Sequence, residues 1–260
     1  MIFKVKTVSD PDLLTFEQAM LEPDQVEKWR EAASTEIQSL EKMNTWTEVP
    51  IHDAKSQTVL PGRWVFKRKR TPDGAIKKHK ARYCVRGDLQ DGEFETFAPV
   101  VSFSTVRLFL VLSLLFDWKT CTVDFSNAFV QATLTDSVFM HLPRGFQSKL
   151  KGKSCLRLNK SIYGLSVAPR LWYKHLLDAL KLEGFSPSKH DQCLLFRHDM
   201  IIIMYVDDLG LAAQHQETID TLIGNLREKM FDLTKEGSFS EYLGIKYEET
   251  PDGKVHMTQT

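Results

Sequence analysis

Seven residues, Met200-Ile201-Ile202-Ile203-Met204-Tyr205-Val206, run into two carboxylates, Asp207-Asp208, and then into a second apolar stretch, Leu209-Gly210-Leu211-Ala212-Ala213. No other feature restricts the fold of this chain so much. A run this short falls well below the ~20 residues of a membrane helix, and it suits a strand buried on both faces. The second stretch then reads as its antiparallel return partner, with the two aspartates at the turn. Consecutive strand side chains point to opposite faces, so the carboxylates converge only where the backbone turns. At ~4 Å two unit charges repel by about 4 kcal/mol at an effective dielectric of 20, and something must offset that.

A third carboxylate offers itself in Asp124, near the end of a strand expected over 120–126. If it reaches the same edge, three carboxylates meet, and hard divalent cations such as Mg²⁺ are their natural counterions. Two such ions ~3.5–4 Å apart clamp the attacking and leaving oxygens of an in-line phosphoryl transfer. An isolated Asp-Asp pair is most often a plain polar turn. What sets this one apart is its place after a buried strand.

The remaining chain supplies the surroundings. Asp24 and Glu27 form a D-x-x-E capping pattern, and Trp29, Ala33, Ile37 and Leu40 recur at helical spacing until Asn44. Residues 1–60 hold eleven acidic side chains against six basic ones, whereas residues 61–90 hold ten basic against two acidic, Asp73 and Asp88. The basic segment contains two strand-like stretches, 64–69 and 76–85, joined by Thr71-Pro72-Asp73-Gly74, a turn sequence. A basic hairpin could hold phosphates by displacing counterions, or its charges could simply be a solvated face. Downstream, a leucine-rich helix is expected over 105–116, a loop over 133–161 and a helix over 169–184. The two apolar strands follow, then a helix over 217–230 and a hairpin over 242–248 turning at Pro251-Asp252-Gly253. From residue 120 the order is strand, helix, strand, strand, helix, strand, the split ferredoxin-like arrangement.

Composition adds limits rather than direction. Lys+Arg 34 balance Asp+Glu 34, so nucleic-acid affinity has to come from local clustering. The four cysteines form no C-x-x-C pair, which points to a reducing compartment, and the amino terminus has no apolar signal region. An intracellular protein of one large or two small domains is expected, with no membrane span.

Tyr205-Val206-Asp207-Asp208 resembles the Y-x-D-D box of reverse transcriptases, and Asp124-Phe125-Ser126-Asn127-Ala128-Phe129 resembles their upstream D-x-x-x-A-F box. The strings Trp64-Val65-Phe66-Lys67, Lys80-Ala81-Arg82, Glu95-Thr96-Phe97-Ala98-Pro99-Val100, Tyr163-Gly164-Leu165, Ala168-Pro169-Arg170 and Tyr242-Leu243-Gly244-Ile245 are similar to those of copia-type retrotransposons, in their usual order. The resemblance spans from about Trp29 to Ile245. It implies an α+β fingers-and-palm polymerase fold: an N-terminal helical segment over 1–60, fingers with the basic hairpin over 61–119, and over 120–260 a ferredoxin-like palm, an antiparallel sheet with helices on one face. On this reading a thumb is expected to be incomplete or absent.

The same resemblance implies RNA-directed DNA polymerase activity with Asp124, Asp207 and Asp208 as catalytic metal ligands for two Mg²⁺ ions, or Mn²⁺ in their place. It gives Arg82, with Lys77, Lys78 or Lys80 as companion, to the triphosphate of the incoming nucleotide, and sets Tyr163 and Gly164 beside nucleotide and template. Phe129 corresponds to the aromatic that blocks a ribose 2′-hydroxyl, against the plainer role of a core phenylalanine. Tyr205 and Val206 fall to the template and primer, and Leu243 and Gly244 to the primer grip. The implied partners are an RNA or DNA template with primer and dNTPs, and the implied location is a cytoplasmic virus-like particle where a full polyprotein is made. Departures exist: Ser166 and Val167 stand where relatives carry Lys and Gln, the stretch 87–95 is short, and Phe125 and Ala132 replace Val and Gly. Ser166 and Val167 favour the competing reading, a decayed or domesticated remnant that binds nucleic acid without polymerising, whereas the intact Asp124, Asp207 and Asp208 favour polymerisation. Another palm-type nucleotidyl transferase or cyclase would leave the copia strings unexplained.

Overall fold

In a computed structural model of the protein, residues 10–71, 73–237, 239, 241–242, 245–250 and 254–259 are described. The chain divides into two compact units, Met1–Phe94 with Ala132–Ala168, and Glu95–Gln131 with Pro169–Thr260. Neither is a contiguous segment of the kind that composition suggests. Charge and hydropathy shifts mark local boundaries, whereas each unit is closed by pairings between distant stretches.

In the first unit, helix α1 (Val26–Lys42) buries Trp29, Glu36 and Leu40. Its N-cap is Gln25, which makes no side-chain capping bond, so the Asp24 box is not used. A complete capping box forms instead at Thr15 and Gln18, opening the short helix Phe16–Met20. The expected hairpin is present as β1 (Gly62–Arg70) and β2 (Ile76–Val85), with Val65 opposite Arg82 and Lys67 opposite Lys80. The stretch expected to be a loop over 133–161 carries strands Phe139–Met140 and Ser154–Leu158, and the latter pairs antiparallel with Trp46–Pro50. Cys155, Leu156 and Leu158 are buried there. Their apolar signal spans only a few residues among lysines and glycines, too short for periodicity to register.

The second unit begins with helix α2 (Phe103–Leu115), whose N-cap Ser102 accepts the Thr105 N–H and starts the helix ahead of the expected position. It continues through β3 (Lys119–Phe125), α3 (Ala168–Leu182), β4 (Leu194–Arg197), β5 (Met200–Tyr205), β6 (Asp208–Ala213), α4 (Gln216–Glu228) and β7 (Leu233–Lys235). Among the described residues these strands, with Ser186–Pro187 at one edge, form an antiparallel sheet of order β7-β3-β6-β5-β4. Met200 through Met204 and Leu209 through Ala213 are all buried. Strands apolar at successive positions need cover on both faces. Trp172 of α3 meets Phe125 with ring centroids 5.0 Å apart. On the opposite face Phe239 lies against Gly210 and against Phe109 of α2, 5.1 Å away. Helices thus flank both faces, not one as expected from the sequence. A Cβ at Gly210 would come within 2.7 Å of the Phe239 ring, which is why the face carrying Asp208 has glycine two residues on.

At the C-terminal end, Glu241–Tyr242, Ile245–Glu249 and Val255–Gln259 pair antiparallel in that order. The proposed primer-grip residues Leu243 and Gly244, and the turn at Pro251-Asp252-Gly253, lie outside the described residues. No helix among the described residues is long and apolar enough to cross a membrane.

Candidate active site

β5 and β6 are joined by the two-residue turn Val206-Asp207, closed by the pair Tyr205 and Asp208. Two-residue hairpin turns need positive φ, a role for which glycine and asparagine are preferred. Here Val206 adopts φ 52°, a β-branched residue in the left-handed region, which costs of the order of 1–3 kcal/mol. Trp172, 1% exposed, holds it there by donating its indole N–H to the Val206 carbonyl at 2.5 Å.

The register of β6 on β3 places Asp208 directly opposite Asp124. Beyond them the Phe125 N–H donates to the Asp207 carbonyl at 3.0 Å, the bond that flanks a non-hydrogen-bonded pair, in which facing side chains stand closest. On the other side of β3, Thr234 of β7 faces Asp124. Burial, followed by the charges of Asp207, Asp124 and Glu236, pushes the Asp208 carboxyl up to about 6. Glu236 is a fourth carboxylate of the neighbourhood that sequence reading missed. It sits on the strand edge after β7, and only the pairing of its N–H with the Thr122 carbonyl, 2.9 Å, brings it there.

Among the described residues neither Asp207 nor Asp208 has an ion-pair partner, and no three His, Cys, Asp or Glu side chains are gathered into a ready-made metal cage. Like charges with no cation between them do not close on a common point. The donor chemistry nonetheless fits a hard divalent cation: oxygen ligands only, excess negative charge, and a half-buried carboxyl pushed toward neutrality by burial and then by its neighbours' charges.

Phe129 lies on the short helix Ala128–Gln131 after β3, half-buried and packed against the core of the unit. Gln131 fixes that turn. Its side-chain amide donates to the carbonyls of Ser126 (2.8 Å) and Asp232 (2.9 Å), and its oxygen accepts the Asp232 N–H (3.0 Å). A buried glutamine bonding in three directions is a positioning residue that a single sequence does not disclose.

The remaining candidates belong to the first unit. Arg82 stacks its guanidinium over the Tyr163 ring, 4.7 Å from the centroid. Tyr163-Gly164 is docked on the end of β2, where the Val85 N–H donates to the Tyr163 carbonyl at 2.8 Å and the Gly87 N–H to the Gly164 carbonyl at 3.2 Å. Gly164 has φ 93°, and a Cβ there would meet the Val85 carbonyl at 2.0 Å, so only glycine permits this approach. Strand alternation puts Lys78, Lys80 and Arg82 on one face of β2 and Lys77 on the other, beside His79. His79 packs against Trp29 of α1, with centroids 4.4 Å apart. Lys77 is therefore on the wrong face to accompany Arg82.

The described family of reverse transcriptases (RNA-dependent DNA polymerases) matches residues 43–259 of this chain, and the chain belongs to that family. It is 33% identical over 240 residues to the retrovirus-related Pol polyprotein from transposon RE1 of Arabidopsis thaliana, covering 90% of this chain and 16% of the relative. The Pol polyprotein from transposon TNT 1-94 of Nicotiana tabacum is 31% identical over 237 residues (88% and 18%), and the Ty1-DR1 Gag-Pol polyprotein of Saccharomyces cerevisiae 29% over 253 residues (90% and 14%). The copia-type resemblance carried by the sequence strings stands. The chain spans less than a fifth of the length of these relatives.

Proposed function

We propose that the chain is the polymerising domain of a copia-type Pol polyprotein and adds dNTPs to a primer on an RNA or DNA template. The observation that carries this reading is the cross-strand pair Asp124 and Asp208, with Asp207 beside it, at a turn held in a strained conformation. Asp124, Asp207 and Asp208 would hold two divalent cations, Mg²⁺ or Mn²⁺. When bound, such ions stabilise the developing charge of an in-line phosphoryl transfer and activate the primer hydroxyl. The chain's own residues supply the rest. Trp172 and the β3–β6 register orient the carboxylates, and burial of the hairpin lowers the dielectric around them, which strengthens their grip on a cation.

In this reading the second unit is a palm and the β1–β2 hairpin belongs to the fingers. Arg82 and Lys80 take the triphosphate, Arg82 with its plane set by Tyr163, and Gly164 lets the chain approach the nucleotide closely. Tyr205 and Val206 meet the primer end or the template. Phe129 stands against the ribose: Phe129→Ala raises ribonucleotide over deoxyribonucleotide incorporation by at least the tenfold that ~1–3 kcal/mol of pocket discrimination represents, and Phe129→Tyr changes little. Loss of general activity at an unchanged ratio would make it a core residue.

A second reading, a remnant that binds nucleic acid without catalysis, draws on Ser166 and Val167. Primer extension on poly(rA)/oligo(dT) with Mg²⁺ or Mn²⁺ separates the two. Extension that disappears in Asp207→Asn supports polymerisation. Primer–template binding with no extension in either metal supports the remnant.

A further inference from the structure

Helix α2 is apolar around nearly its whole circumference, with Val106, Phe109 and Leu110 buried in the second unit. Its other side is open: Leu108 is 47% exposed, Val111 58%, Leu114 44% and Leu115 71%. Leu108, Val111 and Leu115 follow the three-four spacing of a helix-pairing seam, with Leu114 flanking it. Apolar surface gathered along one helix face in this way marks an interaction site.

Two charges flank the seam. Arg107 stands beside its N-terminal end, its guanidinium over the Phe103 ring at 4.5 Å, and among the described residues it has no acidic partner. Asp117 follows the helix at φ 50°, in the position after the cap where glycine is usual. Its side chain is 99% exposed, and its ion pair with Lys119 is long at 4.0 Å. A carboxylate at a helix C-terminus opposes the macrodipole, so Asp117 is ill-placed within its own chain.

We propose that α2 pairs with α2 of a second copy of this chain, antiparallel about a two-fold axis near Val111. A two-fold interface is self-complementary, which a single helix crossing the axis provides. Antiparallel pairing sets Leu108 against Leu114 and brings each Arg107 to the C-terminal end of the other helix, within reach of Asp117 of the second copy. It also opposes the two macrodipoles. Parallel pairing would place arginine on arginine and aspartate on aspartate. A formal net charge of zero leaves no global repulsion to overcome. The pair covers on the order of 1,000 Å², the lower limit for a specific interface.

Sedimentation velocity of the full 260-residue chain from about 1 to about 100 µM tests this, a range that reads micromolar association. The wild type is expected to pass from monomer to dimer. Val111→Arg, which sets like charges together at the axis, raises the dissociation constant at least tenfold with unchanged circular dichroism and melting. Arg107→Glu and Asp117→Arg each weaken the dimer, and the double variant R107E/D117R restores it. That charge swap lies on the surface and decides the matter even if Val111→Arg misfolds. A wild type that stays monomeric throughout, with the face left to some other partner, overturns the proposal. So does association insensitive to Val111→Arg and to the charge swap.

Discussion

The basic hairpin of the first unit and the acidic turn of the second gather charges of opposite sign, and the protein treats them oppositely. Around the hairpin part of the excess is met from within. Arg70 is held bidentate by Asp12 at 2.7 and 2.8 Å, Arg68 is ion-paired with Glu22 and donates to the Pro11 carbonyl at 3.0 Å, and Lys67 lies 3.7 Å from Asp10. The acidic N-terminal segment thus offsets charges at the turn end of β1, including Lys67 on the face shared with Lys80 and Arg82. At the turn, by contrast, Asp207 and Asp208 face further carboxylates and, among the described residues, no side-chain cation. Charge counted along a sequence is therefore not charge available to a partner. One cluster is offset in part by acids of its own unit, and the other sets like charges beside one another.

The contrast is broken most severely at the turn. Asp207→Asn or Asp124→Asn is expected to lower primer extension by about 10³-fold or more, the scale of losing a group that stabilises transition-state charge, while thermal melting in the absence of metal stays the same or rises. A fall in extension matched by a fall in melting temperature would show that these residues serve the fold.

The hairpin should behave in the opposite sense. Arg68 is nearly buried, 10% exposed at its side chain, so Arg68→Ala takes the cation from Glu22, whose carboxylate keeps the Trp29 indole N–H, and costs about 2 kcal/mol, some 4–8 °C in Tm, by thermal melting. Arg82→Ala, on the other face, should leave melting nearly unchanged and raise the KM for dNTP about tenfold, an effect of about 1.4 kcal/mol; steady-state kinetics with Arg70→Ala as the control checks it. If Arg70→Ala raised KM equally, the division of the hairpin into structural and ligand-binding charges would fail.

The smallest effect is a pH dependence. The Asp208 carboxyl titrates near 6 in the folded chain and near 3.8 when unfolded, so between those values the folded state keeps a proton that the unfolded state has released. Its contribution to stability is fully present below pH ~4 and is lost as pH rises through about 6. Melting of the metal-free chain should drop by a few degrees over that window, solvent screening at this half-exposed group reducing the full linkage value. Mg²⁺ should recover the loss at pH 7 and do little at pH 4. Asp208→Asn should abolish both.

Much of this was legible in the residues alone. Uninterrupted burial of Met200 to Met204 is written in their composition, because a strand covered on both faces needs apolar side chains at every position. The spacing of Trp29 and Leu40 announced α1, the turn residues announced the β1–β2 hairpin, and the ordered strings announced the family. Periodicity reports how a segment is covered but not by what. The opposition of Asp124 and Asp208, the approach of Glu236, the bracing of Phe129's turn by Gln131, the exclusion of Lys77 from the face of Arg82 and the pairing of Trp46–Pro50 with Ser154–Leu158 all join residues far apart in the chain. Such pairings are chosen by register and packing once the chain has folded back on itself, and a one-residue slip of β6 on β3 would have sent Asp208 to the opposite face from Asp124. The carboxylates were visible in the sequence; that two of them stand side by side was decided by the sheet.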